Sequence, residues 1–374
     1  MIRWGWGEVI EIVEMTEMVQ VVKIHNNGKE NKAIHYLQFG SPLHVGDEVI
    51  LNQTATELQL GTGGYDFVVS QRIDKEVANR SSNQSEELGH IMKLRYTPYQ
   101  FSVLSCEEEA SPYHSLFTES KDLEGLPVLI GELHSMLPIL VTIIRQLEKK
   151  DNMFPRRIVY IMTDGGSLPI SISQHVTLLK ENGWLDSTIT VGHSFGGDLE
   201  AINVYTGLIA AKHILKADLA IVLMGPGIVG TGTRLGHSGI EHGEIINAVN
   251  ILKGIPVSII RAGESDHRER HQGISHHSKT SLQWISLTPC IVPCPKGLEQ
   301  THPQLFNIVK EITTEKHELV PIEMKKEEIV KMIHHYSILI TTMGKTIQEE
   351  PLFFEFVASS AIWVHQYLKH FTDD

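Results

Sequence analysis

A serine, an aspartate and a histidine occur in this chain in the order that serves hydrolytic chemistry. Gly192-His193-Ser194-Phe195-Gly196 fits the G-x-S-x-G pattern of a nucleophile elbow, where a sharp strand-to-helix turn presents the hydroxyl. A β-branched run from Thr188 leads in, and helical spacing is read from Leu199 onward. Asp266 follows in Gly263-Glu264-Ser265-Asp266, and His302 comes later still. In that reading Ser194 attacks, His302 takes its proton and Asp266 orients the imidazole. The backbone N–H of Phe195, with that of Leu133 or His134, is the expected oxyanion donor. His193 and Asp164, the latter in Thr163-Asp164-Gly165-Gly166, are further acid–base candidates, and His267, His271, His276 and His277 compete with His302 for the base role.

Two other chemistries are written beside this one. Gly225-Pro226-Gly227-Ile228-Val229-Gly230, extended by Thr231-Gly232-Thr233, matches G-x-G-x-x-G after an apolar run. It follows the fourth such run, and more loop intervenes before any helix, so it predicts contact with an anion rather than with a dinucleotide. The expected ligand contacts are Gly192, Gly196, Gly225, Gly227, Gly230, Thr231, Arg234, Arg268 and Arg270. The arginines suit carboxylate or phosphate. The densest polar cluster is Asp266-His267-Arg268-Glu269-Arg270-His271 with Ser275-His276-His277, and histidine with aspartate suits a divalent metal. Metal-ligand candidates are His134, His237, His267 and His271, with His242 and Asp164 at neighbouring strand ends. The spacing fits no established metal signature, and no cofactor is named by any of these patterns.

Five short apolar runs must position these residues, each ending in glycine with a polar residue. They begin at Val128, Ile158, Thr188, Leu219 and Val257, and a helical pattern follows each. Strand-then-helix repeats predict an α/β fold with a parallel sheet, Rossmann-like or α/β-hydrolase-like, with helices on both faces. Ligands then sit at the carboxyl ends of the strands. A sixth strand is expected at 288–292, and helices at 136–149, 170–182, 199–215, 241–252, 279–285, 303–314, 327–336 and 352–370. Residues 1–110 read as a small antiparallel β-barrel or sandwich, with turns at Asn27-Gly28, Gly46-Asp47 and Gly61 to Gly64. The polar stretch 74–88 reads as a loop, and Gly89 to Phe101 as the barrel's last strand or a segment reaching the other domain. Residues 120–315 are the α/β domain, and 320–374 a helical segment packing on the rest.

The 374 residues carry a formal net charge of -13, which argues against nucleic-acid and anionic-membrane partners. No signal peptide and no apolar run of membrane-spanning length is seen. Three cysteines, Cys106, Cys290 and Cys294, are expected to be buried apolar fillers in a reducing cytoplasm. The expected partner is a small-molecule ligand; homo-oligomerisation is left open.

With these motifs assembled, the chain resembles a bacterial domain-of-unknown-function family, seen mainly in Gram-positive bacteria. The resemblance rests on LGTGGYDFVV (60–69), GHIMKLRYTPYQF (89–101), YIMTDGG, TVGHSFGGDLEA, MGPGIVGTGT, GISHH and TTMGK (341–345) and spans essentially the whole chain. It implies no activity. A partial likeness to α/β-hydrolases covers about the middle half. The leading expectation is a hydrolase acting on a small polar or anionic molecule at the strand ends. The alternatives are a non-catalytic sensor of a phosphorylated metabolite or nucleotide, and a histidine–aspartate metal-dependent enzyme.

Overall fold

Alternation of buried and exposed side chains marks the first strands, as expected of a sheet with one wet face. The computed structural model describes residues 3–26, 28–57, 64–71, 89–97, 99–119, 121–313 and 315–370. The expected turn residues Asn27 and Gly61 to Gly63, and the polar stretch 74–88, lie outside the described residues. Strands β1 (Trp4–Met15), β2 (Val19–Asn26), β3 (Lys29–Tyr36), β4 (Glu48–Asn52) and β5 (Tyr65–Gln71) close a barrel in the order β1-β2-β3-β5-β4. Four of the pairings are antiparallel and β3–β5 is parallel. Val9, Val22, Ile24, Ala33, Leu43, Val49 and Leu51 fill it. The chain divides into two units, one within 1–87 and 97–99, the other 88–96 and 100–374.

In the second unit a hairpin, β6 (Ile91–Lys93) with β7 (Phe101–Val103), precedes the sheet. The sheet strands are β8 (Pro127–Gly131), β9 (Ile158–Thr163), β10 (Ser187–Val191), β11 (Leu199–Ala201), β12 (Leu219–Met224) and β13 (Ile255–Ser258). A small ladder, β14 (Ala262–Gly263) with β15 (Gly273–Ile274), leads to β16 (Ile291–Pro295) and β17 (Glu318–Ile322). The eight-stranded order is β11-β10-β9-β12-β8-β13-β16-β17, and its pairings are parallel. Side chains alternate between two cores. Ile158, Tyr160 and Met162 face the helices Met136–Lys150 and Pro351–Lys369, while Val159 and Ile161 face Val204–His213 and Glu241–Ile251. A strand buried on both faces reads as a near-continuous apolar run, and β8, β12 and β9 up to its terminal Thr163 do. The chain leaves β8 toward β9 and leaves its neighbour β13 in the opposite direction, toward β16, so a topological switch point lies between β8 and β13; a second lies between β9 and β12.

Two elements differ from expectation. Leu199–Ala201 is a strand, not the start of a helix; the helix begins at Val204 behind an Asn203 capping box. β17 joins a stretch read as helical to the sheet edge. Of the two placements expected for the segment from Gly89, the barrel strand fails and the reach into the other domain holds: its hairpin belongs to the α/β unit. Lys93 is the reason. Its ammonium is 1% exposed and donates to the Gly192 carbonyl at 2.7 Å and the Ser194 carbonyl at 2.8 Å, with Glu200 Oε2 at 3.0 Å. Among the described residues no helix is long and apolar enough to cross a membrane.

Lys93→Met strands a buried carboxylate and two carbonyls, a loss of about 3–5 kcal/mol. The melting midpoint of the α/β unit should fall by roughly 6–15 °C, followed by near-UV circular dichroism. The double variant Lys93→Met/Glu200→Met should recover part of the loss. An unchanged midpoint in the single variant contradicts this role for the pair.

Candidate functional site

The residue after β8, Glu132, places a carboxylate at the switch point between β8 and β13 with 1% of its side chain exposed. Such a charge needs partners. Its Oε2 accepts from His277 Nδ1 at 2.8 Å, its Oε1 accepts from the Ser278 hydroxyl at 2.7 Å, and Arg261 stands 3.7 Å away. Burial alone pushes the carboxyl pKa up, but the His277 hydrogen bond and the Arg261 charge outweigh it and hold the group at about 2. An ionised carboxylate only accepts, so His277 donates to it from Nδ1 and leaves Nε2 for other contacts.

Two more imidazoles stand beside this ring. The ligand atoms of His237, His276 and His277 lie within 4.8 Å of one another. His237 stacks on His277 with centroids 3.8 Å apart, and His276 stands 4.4 Å from His277. Neither nitrogen of His237, nor Nε2 of His276, has a hydrogen-bond partner among the described residues; the Arg234 carbonyl lies near His237 without hydrogen-bond geometry. Burial, then the neighbouring His277, lowers the pKa of His237 and takes that of His276 to about 4. His271 packs 5.0 Å from His277, and burial with Arg261 and Arg268 takes it to about 3. These rings are neutral near pH 7 and offer lone pairs. Gly239 admits the cluster: a Cβ there would stand 3.1 Å from His237 Nδ1 and 3.3 Å from Glu132 Oε2.

The elbow-like loop is built differently. Ser194 is 1% exposed and its hydroxyl donates to the Thr163 carbonyl at 2.8 Å. Gly192 has φ +64°, and a Cβ there would stand 2.7 Å from Asp164, so only glycine fits the turn. Gly196 N donates to Glu200 Oε1 at 2.6 Å, Phe101 packs edge-on against Phe195, and Arg95 meets His193 Nε2 at 2.8 Å. Asp266 is held by Arg268 at 2.9 and 2.7 Å, and His302 faces Thr301 and Glu264. Four strands separate β10 from β16, so Ser194 and the segment of His302 are about 24 Å apart in sheet spacing alone. The structure does not bring Ser194, Asp266 and His302 together.

The other candidates divide. The loop from Gly225, Gly227 and Gly230 closes on itself: Thr231 N donates to the Gly236 carbonyl at 2.8 Å and Val229 N to the Ser238 hydroxyl at 3.1 Å. Those N–H groups brace the hairpin that delivers His237. Arg234 stacks 3.4 Å over Trp284, and Arg270 stands beside Gly232. His134 is engaged by Tyr160 and Ser173, His242 by Ser258, and His267 is exposed beside Asp266. Of the four metal candidates, His237 and His271 lie in the cluster. The three cysteines are buried and free. Glu132 and Arg261 escaped the sequence reading; each is the first charged residue after an apolar run, and that was their signal.

Asp164 and Gly192 line a separate groove of about 530 Å³ with Asn203, Tyr205, Glu241 and Glu244. Burial, reinforced by Glu244 and Asp164, lifts the Glu241 carboxyl to about 7. A carboxyl raised in the folded state costs stability once pH exceeds its unfolded value, and the full penalty is present above pH 7. Glu241→Gln should therefore stabilise the chain at pH 8 by on the order of 2–3 kcal/mol, the gain vanishing toward pH 4. Denaturant titrations of both proteins across that range check it; a gain independent of pH contradicts the shifted carboxyl.

No curated protein matches the chain. The model of a family described as protein of unknown function (DUF3866) matches residues 32–361. That span holds the whole parallel sheet and each residue of the histidine cluster. The chain belongs to the DUF3866 family.

Proposed function

We propose that His237, His276 and His277 bind a divalent transition metal, zinc by the chemistry of three imidazoles, and that the protein is a metal-dependent hydrolase acting on a small polar or anionic molecule. The observation that carries this reading is one oriented imidazole facing two without partners. Glu132 fixes the tautomer and ring of His277, the arrangement that commonly orients a metal-bound histidine. Buried polar atoms are ordinarily satisfied, and those of His237 and His276 are not.

Ligation needs one adjustment. In parallel stacked rings the lone pairs have no common in-plane focus, so His237 must turn. No hydrogen bond opposes that turn. The three imidazoles would then hold the ion, which would supply Lewis-acid activation of a water near neutral pH, the chemistry of a hydrolase. His276 is the least buried of the three, so the cluster's solvent side is at this ring.

Calorimetric titration of zinc into chelator-treated protein should give one equivalent bound. His237→Ala and His276→Ala should each weaken it strongly, and Glu132→Gln by roughly 10- to 100-fold. Ser194→Ala and His302→Ala should leave it unchanged. Absence of stoichiometric zinc, manganese, iron, cobalt or nickel binding contradicts the reading, as does full affinity in the His237→Ala/His276→Ala double variant.

A further inference from the structure

Beside the histidines lies a buried guanidinium that faces Glu132 without hydrogen-bonding to it. Arg261 follows β13, and its backbone is fixed by the Ser278 hydroxyl at 3.0 Å and the Ser275 N–H at 2.9 Å. Its side chain is 8% exposed. Among the described residues the guanidinium makes no hydrogen bond, its nearest acid being Glu132 at 3.7 Å. Five N–H donors in a rigid fork are seldom left unused in a protein interior.

Arg261 lines a cavity shared with Asp266, His271, Thr342, Lys345 and Glu350. Its two carboxylates are already engaged. Asp266 receives Arg268, and Glu350 accepts from Glu264 N at 2.6 Å and from Ser265 N at 3.1 Å. Lys345 reaches in from a tight turn in which Met343 and Gly344 take positive φ, and it donates to the Ser265 hydroxyl at 2.7 Å. The Arg261 donors therefore remain for a ligand. The space, about 30 Å³, exceeds the 10–15 Å³ that one water needs and suits a compact group rather than a whole metabolite. His271 forms part of the wall and packs 5.1 Å from His276.

We propose that this cavity seats a compact oxyanion, the phosphoryl or carboxylate group of the substrate, on Arg261 with Lys345 at its rim. Planar guanidinium recognises either group by two parallel hydrogen bonds. Its role in turnover rests on the metal reading: an anionic handle held here places the rest of the molecule beside His276 and His277. Anion binding itself does not need the ion.

The test titrates inorganic phosphate, and separately acetate, into the full chain after chelator treatment, with chloride at matched ionic strength as control. Calorimetry and melting midpoint are read together. Saturable binding above the chloride control is expected, and the stronger arm tells phosphoryl from carboxylate. Arg261→Gln should weaken it roughly 10- to 100-fold, and Arg261→Lys should keep part of it. Lys345→Met, at the rim, should weaken it less and keep the fold, which covers the case in which Arg261→Gln unfolds. No saturable binding of either anion overturns the proposal, as does undiminished binding in both Arg261→Gln and Lys345→Met. Zinc binding with no anion binding sinks this site alone; anion binding without zinc binding sinks the metal reading alone.

Discussion

A carboxylate buried at the carboxyl end of the central strand β8 constrains everything around it. Glu132 cannot reach water, so charge and hydrogen bonds must come to it. They come from one stretch of chain, Arg261 to Ser278, whose backbone is tied to itself through Ser275 and Ser278. Meeting that demand sets the His277 ring, aims its second nitrogen outward and packs His271 and His276 against it. The loop after β12 then brings His237 onto the stack. The switch point between β8 and β13 and the compensated carboxylate coincide, so the topology supplies the crevice and the charge supplies its contents.

The polar strand ends share the labour unequally. The loop from Gly192 to Gly196 is turned inward, clamped by Lys93, Glu200 and the Thr163 carbonyl. The glycine loop from Gly225 to Gly236 braces His237 through the N–H groups of Val229, Thr231 and Gly236. Asp164 and Glu241 face their own groove, where burial, reinforced by neighbouring acids, keeps the Glu241 carboxyl partly protonated near pH 7. Glycine with a polar residue at a strand end therefore marks sharp turns here as much as chemistry.

The two-sided apolar runs made the parallel sheet legible, because β8, β9 and β12 are buried on both faces and leave no polar position before the terminal Thr163 to confuse the period. Leu199-Glu200-Ala201 misled because its residues favour helix in isolation; pairing with β10 and the Glu200 contacts impose the strand. The order serine, aspartate, histidine was real in sequence, but lateral order in a sheet is not sequence order, and four strands came between β10 and β16. Histidines 271, 276 and 277 could be found by density. Glu132 could not be found by motif, since a single glutamate after a strand has no spacing to recognise; only the burial of its position gives it meaning.

The claim at the centre is that His237 leaves its stack on His277 to share an ion with it and His276. Anomalous diffraction from zinc-loaded crystals, at the zinc absorption edge, tests this directly. The account predicts one peak about 2.0–2.1 Å from His277 Nε2 and from a nitrogen of each of the other two rings, with the His277 Nδ1 bond to Glu132 intact. Zinc found only elsewhere, as at exposed His267 or His302, with His237 still stacked, would contradict it.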